Sequence, residues 1–547
     1  MKGIVKKIIA QRFSEIREEL NITETPFYEV EKPKNRSYGD YSTNLVMTTA
    51  KLLRKNPREI ANAFIKNFNH PLFEKIEIAG AGFINFFINQ KELLNLLNNI
   101  SQDFDTFLSP KDLTKKKLHL EYVSANPTGP LHVGHGRGAC IGSSLALILK
   151  EVGHDVKQEF YINDAGSQIK NLGLSILLRA KELKGETVEF PEGCYLGEYV
   201  SELAKDYIKN GGSDGIDDEN IEKASVFGTE VVLDWIKNDL KDFGVEFDSY
   251  FSERSLFVSG FVAKTLDAIK EKNLSYEKDG ALWFRTTDFG DDKDRVLVKE
   301  NKETTYFASD IAYHKNKFEQ KFDEYINIWG ADHHGYVPRI KSAIKALGHD
   351  EEKLKVLMVQ MVSLFRDGKP VTMSKRSGEF ITLRDVLDEV GRDAMRFMFL
   401  TRRHDSPLDF DIELVKQKTS DNPVFYVQYM YARINSVFNV AKERNIDITK
   451  LRLDFSCLML EEEKQLIDQI LSFPDVVLDA AEHLEPHILA YYLINMAQMF
   501  HSYYNAHRFI CEDSLELTVS RLSLLKLLQK TVKKGLLLLG IESPERM

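Results

Sequence analysis

The feature that most constrains the fold is a short apolar strand that leads through a turn rich in proline and glycine into a long helix. Residues 118–123 predict the strand, and residues 134–152 have a helical pattern that ends before Gly153. A second strand is predicted at 156–162. Because a strand, a helix and another strand in succession are typical of a parallel sheet covered by helices, this segment predicts an α/β architecture.

The same alternation returns further along the chain. A strand is predicted at 325–329, a helix from Val337 to Leu347, and another strand at 354–362. Residues 115–405 are therefore predicted to form a doubly wound, Rossmann-like domain with a parallel sheet and helices on both faces. The stretch at about 185–300 is less regular, and we interpret it as insertions in that sheet.

The segments on either side differ from this domain. Residues 1–110 combine an amphipathic first helix, helices at 45–53 and from Pro57, and two strands within 75–88, which indicates a small α+β domain. Residues 410–547 lose the strand pattern and predict an all-α bundle. Its helices are predicted at 424–442, 461–472, 487–507 and 515–539, with Pro423, Pro474 and Pro486 as the breaks.

Charge and cysteine content exclude several classes of protein. The 547 residues include 73 Lys and Arg against 83 Asp and Glu, a net charge of −10 that excludes a wholly basic coat protein but allows a local basic groove. The four cysteines form no C-x-x-C pair, which argues against a zinc ribbon or a disulfide framework. The apolar run at 536–539 is far shorter than the ~20 residues that span a bilayer. A cytoplasmic enzyme with no membrane segment is predicted.

The turn itself carries the first chemical motif, residues 124–136 with the sequence SANPTGPLHVGHG. In an open parallel sheet, ligands bind beyond the carboxyl ends of the strands, and a helix N-terminus there offers free N–H groups to a phosphate. His132 and His135 are spaced so that both imidazoles can face the phosphates and donate hydrogen bonds as charge develops. The alternative is a helix start with two exposed histidines, which this strand–turn–helix context disfavours.

A second motif, residues 367–378 with the sequence DGKPVTMSKRSG, follows the strand predicted at 354–362. Its glycines favour turns, and a mobile basic loop can bring an ammonium group to a polyphosphate leaving group. Taken alone, this segment is better interpreted as a basic surface loop. Its position about 240 residues after the first motif gives it a second interpretation.

Together the motifs resemble those of the class I aminoacyl-tRNA synthetases, in which an H-x-G-H turn precedes an M-S-K loop. Further segments are similar to arginyl-tRNA synthetases in particular: EYVSANPTGPLHVGH at 121–135, YGDY at 38–41, GAGFINF at 80–86, NPVFYVQY at 422–429 with Ala432-Arg433-Ile434, and SPERM at 543–547. The resemblance extends over essentially the whole chain.

The resemblance implies an arginine–tRNA ligase that acts in two steps. L-arginine and ATP give arginyl-adenylate and pyrophosphate, and the arginyl group then passes to the terminal ribose of tRNA(Arg). ATP implies Mg²⁺ bound with it, although the sequence reveals no dedicated metal site in the protein. The tRNA is expected to contact all three regions, with the bundle at the anticodon, and to be required for arginine activation. The enzyme is expected to be a monomer.

The resemblance also implies roles for individual residues. The catalytic groups are His132, Gly134, His135 and Lys375. The nucleotide site consists of Ala125, Asn126, Pro127, Thr128, Gly129, Pro130, Leu131, His132, Val133, Gly134 and His135, with Met373, Ser374 and Lys375 of the loop. The arginine site consists of Glu121, Ser124, Asn126, Glu253, Tyr306, Asp310 and Asp332.

An arginine substrate restricts which residue types can form its binding site. A guanidinium has five donors and no acceptor, so its pocket needs carboxylates and a hydroxyl. Tyr306 and Asp310 fall on the family's guanidinium-binding pair, and a spacing of four places both on one face of a helical turn. Glu253 falls on a third acid. The alternative for each acid is a solvated surface charge, and residues 332–334 (Asp-His-His) could instead form a divalent-metal site.

One loop position departs from the family pattern. The loop has Thr372 before Met373-Ser374-Lys375, where the class pattern has a lysine. Lys375 is the first candidate for the phosphate contact, and Lys369 or Arg376 could replace the missing lysine.

Three other functions compete with this interpretation: a short H-x-G-H nucleotidyltransferase, a non-catalytic paralogue, and a synthetase for another amino acid. The bundle argues against the first, and the intact H-x-G-H motif and loop lysine argue against the second. Weaker candidates for RNA contact, which can equally be core or solvated residues, are Tyr431 and Arg433 in the bundle and Lys32, Lys34 and Arg36 near the N-terminus.

Overall fold

The structure is a computed structural model of the chain. It describes all residues except 19, 21, 23, 34, 111–113, 372–380, 420 and 451. The predicted loop residues Met373, Ser374 and Lys375, with Thr372 and Arg376, lie outside the described residues, as does Lys34.

The N-terminal region is an antiparallel sheet covered by helices, as the sequence predicts. Its elements are α1 (Lys2–Arg17), β1 (Val30–Glu31), β2 (Tyr41–Thr43), α2 (Leu45–Leu53), α3 (Pro57–Ile65), β3 (Phe73–Ala79), β4 (Phe83–Ile88), α4 (Gln90–Ser101) and α5 (Phe104–Phe107). The strand order is β1-β2-β4-β3. Asn56 caps α3 by accepting the Arg58 N–H, and proline occupies the first helical position, where its missing N–H costs nothing.

The central region is built on a five-stranded parallel sheet of order β12-β11-β5-β6-β7. Its first elements are β5 (Lys117–Glu121), α6 (Val133–Glu151), β6 (Asp155–Ile162), α7 (Ser167–Leu183), α8 (Glu198–Lys209), α9 (Asp218–Asp242), β7 (Ser249–Ser252), α10 (Glu253–Val258) and α11 (Phe261–Glu271). A small antiparallel sheet follows, formed by β8 (Ser275–Lys278), β9 (Ala281–Phe284) and β10 (Arg295–Val298).

The chain then returns to the main sheet and leaves it again. The elements are α12 (Tyr306–Glu319), β11 (Glu324–Gly330), α13 (Val337–Ala346), β12 (Leu354–Val359), β13 (Val362–Arg366), β14 (Lys369–Pro370), α14 (Leu383–Val390), α15 (Arg392–Phe399), β15 (Leu408–Asp411) and α16 (Ile412–Lys416). Because β5 has its chain successor β6 on one side and the later β11 on the other, the direction of winding reverses there. That switch point opens a crevice at the carboxyl ends of β5 and β11.

Two predictions for this region differ from the structure. The strand predicted at 354–362 ends at Val359, because the Gln360 N–H donates to the His404 carbonyl at 2.9 Å and β13 joins a different sheet. The stretch at 185–300 is more regular than predicted: α9 alone has 25 residues, and β7 is the edge strand of the main sheet. The four residues of β7, Ser-Tyr-Phe-Ser, are too few and too polar to indicate a strand by pattern alone.

The C-terminal region is helical, with α17 (Pro423–Glu443), α18 (Glu461–Glu482), α19 (His487–Ala506) and α20 (Leu515–Leu538). The predicted break at Pro474 is wrong, because α18 continues through this proline to Glu482. Phe473 and Val477 are fully buried on either side of it, and this packing offsets the ~3 kcal/mol that an internal proline costs a helix. None of the described helices is long and apolar enough to cross a membrane.

The three regions share one hydrophobic core, to which Val5, Leu145 and Leu528 all belong. Polar contacts reinforce the packing of the N-terminal region on the bundle. Lys32 forms an ion pair with Asp468 of α18, and the Tyr41 hydroxyl donates to the same carboxylate at 2.9 Å. Lys32 therefore has a partner within the protein.

Candidate active site

The turn after β5 has a strained backbone. Val123 and Ser124 follow the strand with positive φ angles of 68° and 42°. Few residues other than glycine adopt this region, and a β-branched valine there is a genuine outlier. Such strain persists only where the surroundings impose it, and it is concentrated at functional sites. Here the Ser124 hydroxyl donates to Glu121 and accepts the Tyr161 N–H, each at 3.2 Å.

The next residues are held from α7 and α8. The Asn126 amide donates to Gln168 at 2.6 Å and accepts from Asn163 at 2.9 Å. The Thr128 carbonyl accepts the Tyr199 hydroxyl at 2.8 Å. Ala125, Pro127 and Thr128 are buried, whereas Gly129 and Pro130 are partly exposed. A Cβ at Gly129 would lie 3.0 Å from the Tyr199 hydroxyl, so a close approach explains the glycine.

Two histidines mark the start of α6. Leu131 and Val133 are fully buried, and the Leu131 carbonyl accepts the Leu383 N–H at 2.7 Å, which fixes the entry to the helix. The rings of His132 and His135 stack with centroids 3.7 Å apart. Nδ1 of His135 accepts the backbone N–H of His132 at 3.2 Å. A neutral His135 therefore carries its proton on Nε2, which makes that atom a donor.

A cavity of about 470 Å³ opens in front of this helix start. Its lining combines the strained turn, the two histidines with Gly134, and the end of β11 with the residues after it, including Trp329 and Asp332. Gly138, one turn into α6, also lines the cavity, and a Cβ built there would meet no protein atom within 4 Å. The volume, the open helix N-terminus and the imidazoles suit a nucleotide with its phosphates.

An acidic pocket adjoins this cavity at the carboxyl ends of β5 and β6. It gathers Glu121 from β5, Glu253 from the start of α10, and Asp310 from α12, with the Tyr161 hydroxyl of β6 among them. The Asp310 carboxylate accepts a hydrogen bond from the Tyr336 hydroxyl. Glu253 is 3% exposed, and its Oε2 has no hydrogen-bond partner among the described residues; the same is true of the Tyr161 hydroxyl.

The charges of this pocket are unbalanced. Burial raises the pKa of Asp310 to about 7, and the neighbouring Glu253 and Glu121 add to the rise against the hydrogen bond from Tyr336. Burial, with help from Asp164, also raises the pKa of Glu253, and the nearby Ser309 and Tyr161 hydroxyls oppose the rise only in part. In the described part of the chain, neither carboxylate forms an ion pair with a basic side chain. Such carboxylates are placed to receive a cation.

Glu121 differs from the other two acids because it is paired inside the protein. Burial alone would raise its pKa, but Lys317 lies 2.7 Å from Oε2 and holds the pKa below its usual value. The Tyr313 hydroxyl lies 3.1 Å from the same oxygen and 2.9 Å from Glu159 Oε1, so its one proton is shared between the two carboxylates. Sequence reasoning missed Lys317, Tyr313 and Tyr161. The spacing of 306, 310, 313 and 317 along one face of α12 was the signal that could have found the first two.

Tyr306 and Asp332 lie further out than the acids. Tyr306 is 52% exposed at the start of α12, and its hydroxyl would lie 3.2 Å from a Cβ at Gly166, near the mouth of the pocket. Asp332 lines the nucleotide cavity and is 3.5 Å from His333, and no described contact joins it to the acidic pocket. In the described residues, no three His, Cys, Asp or Glu side chains are grouped as ligands for a metal.

Other predicted residues have ordinary surroundings. Tyr431 is 5% exposed and belongs to the bundle core. The Arg433 guanidinium lies over the rings of Tyr429 and Tyr504, at 4.4 and 4.6 Å from their centroids. Lys369, a candidate replacement for the missing loop lysine, is exposed on β14.

Three family models match consecutive parts of the chain. The model of the arginyl tRNA synthetase N terminal domain matches residues 3–88. The model of the tRNA synthetases class I (R), catalytic domain, matches residues 97–434. The model of the DALR anticodon binding domain matches residues 427–547.

Similar proteins cover the chain from end to end. An arginine–tRNA ligase from Geobacter sp. (strain M21) is 50% identical over 529 residues, which is 96% of either chain. One from Legionella pneumophila (strain Paris) is 44% identical over 589 residues and covers 100% of both. The arginyl-tRNA synthetase structure from Thermus thermophilus has a TM-score of 0.78 at 22% identity, with 100% of each chain covered, so the fold is shared over the full length.

Proposed function

Because the chain belongs to the arginyl-tRNA synthetase family and is an arginine–tRNA ligase, we propose that its acidic pocket binds the guanidinium of arginine and that the adjoining cavity binds ATP. The observation that carries the proposal is the pair of buried carboxylates, Glu253 and Asp310: no described basic side chain forms an ion pair with either, although Arg339 is near enough to Asp310 to oppose the rise in its pKa. A guanidinium supplies a positive charge and five donors to such a pair. The exposed Tyr306 supplies the hydroxyl group of this site.

The position of the pocket beside the cavity suits adenylate formation. The arginine carboxylate attacks the α-phosphorus of ATP, an O–P bond forms, and the bond to pyrophosphate breaks. No nucleophile from the protein is needed, so catalysis consists of positioning the reactants and stabilising the developing charge. Nε2–H of His135 donates to the phosphate oxygens, and His132 and the N–H at Gly134 act beside it. Asn126, which lines the cavity, holds the backbone groups of arginine.

In the second step the terminal ribose 2′-hydroxyl of tRNA(Arg) attacks the arginyl carbonyl, and AMP leaves. Lys375 acts only in the first step, in which its ammonium group binds the departing pyrophosphate, with Met373 and Ser374 beside it. The sequence motif alone supports this role. Mg²⁺ accompanies ATP, and since Mg²⁺ is commonly held by substrate phosphates and one or two carboxylates, Asp332 in the cavity lining is the residue that fits it.

We assign the three regions to parts of one tRNA. The N-terminal domain, about residues 1–110, contacts the outer corner, the domain at 115–405 holds the acceptor end, and the bundle at 410–547 reads the anticodon. The match of the bundle to an anticodon binding domain supports the last assignment. The enzyme acts as a monomer in the cytoplasm, a proposal that light scattering and cell fractionation test.

The test of this function is aminoacylation of total tRNA with each labelled amino acid in turn. Arginine alone should be attached, and omission of ATP should abolish the product. Attachment of another amino acid in preference to arginine would contradict the pocket assignment.

A further inference from the structure

Lys317 is a fully buried cation near the proposed active site. It is 0% exposed, although lysine is among the residues least often found fully buried. Its Nζ lies 2.7 Å from Glu121 Oε2 and 2.8 Å from Asn327 Oδ1, and it stands 4.9 Å from the centroid of the Tyr313 ring. Such a buried ion pair costs desolvation, so its retention calls for a function.

The helix that carries Lys317 also carries the proposed guanidinium ligands. Tyr306, Asp310, Tyr313 and Lys317 recur at spacings of four, three and four, which places them in one stripe along α12. Tyr306 is half exposed at the start of the helix, and Asp310 belongs to the acidic pocket. Lys317 is fully buried and contacts Glu121. The pocket and its buried counter-charge are therefore built on one rigid element.

The contacts of Glu121 connect Lys317 to the strained turn at Ser124. Oε2 of Glu121 is occupied by Lys317 and the Tyr313 hydroxyl, and Oε1 accepts the Ser124 hydroxyl at 3.2 Å. Ser124 is the second residue of the strained turn and also accepts the N–H of Tyr161. Glu121 therefore holds the turn that leads to Asn126 and the histidines.

We propose that Lys317 is a positioning residue for arginine activation: it keeps Glu121 ionised, so that Glu121 holds the turn at Ser124. The inference rests on the proposed arginine pocket. It changes the expected role of Glu121, which acts through Ser124 rather than on the guanidinium. Glu253 and Asp310 then remain for the guanidinium, with Asp164 as a further acid near Glu253.

Several titratable groups face Glu121, from every element packed around it. They are His119 on the same strand, Glu159 and Tyr161 on β6, Glu253 on α10, and Asp310, Tyr313, His314 and Lys317 on α12. Burial lowers the pKa of His314 to about 4, and burial also lowers that of His119, so both are neutral at pH 7. Lys317 is thus the one described cation in contact with Glu121 near neutral pH.

The first experiment measures arginine activation by pyrophosphate exchange, with tRNA present, for Lys317→Met. Methionine keeps the length of the side chain and removes the charge. Glu121 then has no cation to offset its burial, so it takes up a proton near neutral pH. We expect the KM for arginine to rise about 10- to 100-fold at pH 6.5, more than kcat falls, and the deficit to shrink towards pH 9. Lys315→Met, on the same helix but paired with Glu319 at the surface, should match the wild type at every pH.

The second experiment adds Glu121→Gln, which keeps the proposal testable if Lys317→Met folds poorly. Glu121→Gln alone leaves an unpaired cation below the pocket and should raise the KM for arginine. The double variant removes both charges, so it should bind arginine better than Glu121→Gln does. A pH-independent deficit in Lys317→Met, or losses that simply multiply in the double variant, would overturn the proposal. Loss of arginine affinity in Asp310→Asn is a separate result, which decides the pocket assignment whatever Lys317 does.

Discussion

At the scale of single residues, the proposed site depends on groups whose state changes when the substrate binds. Asp310 is held by Tyr336 and surrounded by Glu253 and Glu121, and its pKa of about 7 makes it the group most sensitive to an incoming cation. His135 accepts the backbone N–H of His132 at Nδ1, so the proposed phosphate contact is made by Nε2–H. Each arrangement predicts a measurable change.

The raised pKa of Asp310 predicts that arginine binding releases a proton. Below pH 7 the folded protein without arginine keeps a proton that an unfolded chain would lose near pH 4, so the stability contributed by Asp310 falls as the pH rises from about 4 to 7. Arginine requires the ionised form, so its affinity should rise with pH up to about 7 and then level off. Calorimetry in buffers of different ionisation enthalpy should find roughly 0.9 proton released at pH 6 and about 0.1 at pH 8. Release that persists unchanged in Asp310→Asn would assign the proton to another group.

The two roles of the His135 ring can be separated by substitution. His135→Asn keeps an acceptor near the position of Nδ1 and removes the Nε2 donor, whereas His135→Ala removes both. We expect both variants to lower the rate of arginine activation by ~10²–10³, the cost of one such donor, with little change in ATP affinity. Only His135→Ala should also destabilise the start of α6, seen as a lower melting temperature. A variant that keeps its rate but loses ATP affinity would indicate ground-state binding instead.

At the scale of elements, the position of the histidines depends on how closely α6 packs on β5. The helix comes close to the end of this strand at Gly142, where an added Cβ would lie 2.4 Å from the ring of the fully buried Tyr122. Neither the strand nor this ring can move without disturbing the sheet. The helix therefore needs glycine at this position to bring its N-terminus to the crevice.

Two glycine substitutions on α6 should have opposite effects. Gly142→Ala should destabilise the protein by about 1–3 kcal/mol through overpacking and lower the activation rate as the histidines shift. Gly138→Ala should raise helix stability by up to about 1 kcal/mol, because alanine is the better helix former. Because Gly138 lines the cavity proposed to bind ATP, the added methyl group should raise the KM for ATP. Thermal unfolding and pyrophosphate exchange check both, and a Gly142→Ala protein as stable as the wild type would contradict this packing.

Much of this architecture follows from local pattern, and the exceptions have physical causes. Most of the strand predicted at 118–123, the helix after it and the hairpin at 75–88 were predictable because apolar periodicity and turn residues agree there. The strand itself ends at Glu121, since Val123 already belongs to the turn with positive φ angles. Pro474 misled the prediction because the packing of Phe473 and Val477 is invisible in local sequence. The acids at 253 and 310 came from a family resemblance, since no pattern brings α10 and α12 together. Lys317 was missed because lysine is rarely buried.

At the scale of the whole molecule, Arg396 joins the central domain to the bundle. This arginine of α15 is 0% exposed. Its guanidinium donates to the Leu539 carbonyl after α20 at 2.9 Å, to Ser143 of α6 at 2.9 Å, and to the Phe243 carbonyl after α9 at 3.2 Å. One side chain therefore fixes the bundle against α6, the helix that starts beside His132 and His135.

Loss of that side chain should loosen the bundle. Arg396→Met leaves several buried carbonyls without a donor, so we expect it to lower the free energy of unfolding by about 3–5 kcal/mol. It should also reduce tRNA charging and separate the thermal transition into two. Arg392→Met, one turn earlier on α15, removes a partly exposed pair with Glu542 and should cost at most about 1 kcal/mol. Equal effects of the two substitutions would contradict the role given to Arg396.

The central claim is that an unbalanced acidic pocket selects arginine, and the affinity of Asp310→Asn for arginine tests it most directly. Calorimetry with tRNA present should show a loss of about 10²–10³-fold, because asparagine keeps the shape and removes one side of a buried ion pair worth ~3–5 kcal/mol. ATP affinity should be nearly unchanged, and neutral citrulline should lose most of its disadvantage against arginine. Glu319→Gln, at the exposed end of the same helix, serves as the control and should bind arginine as the wild type does. An arginine affinity of Asp310→Asn equal to the wild type would place this carboxylate outside the pocket and contradict the account.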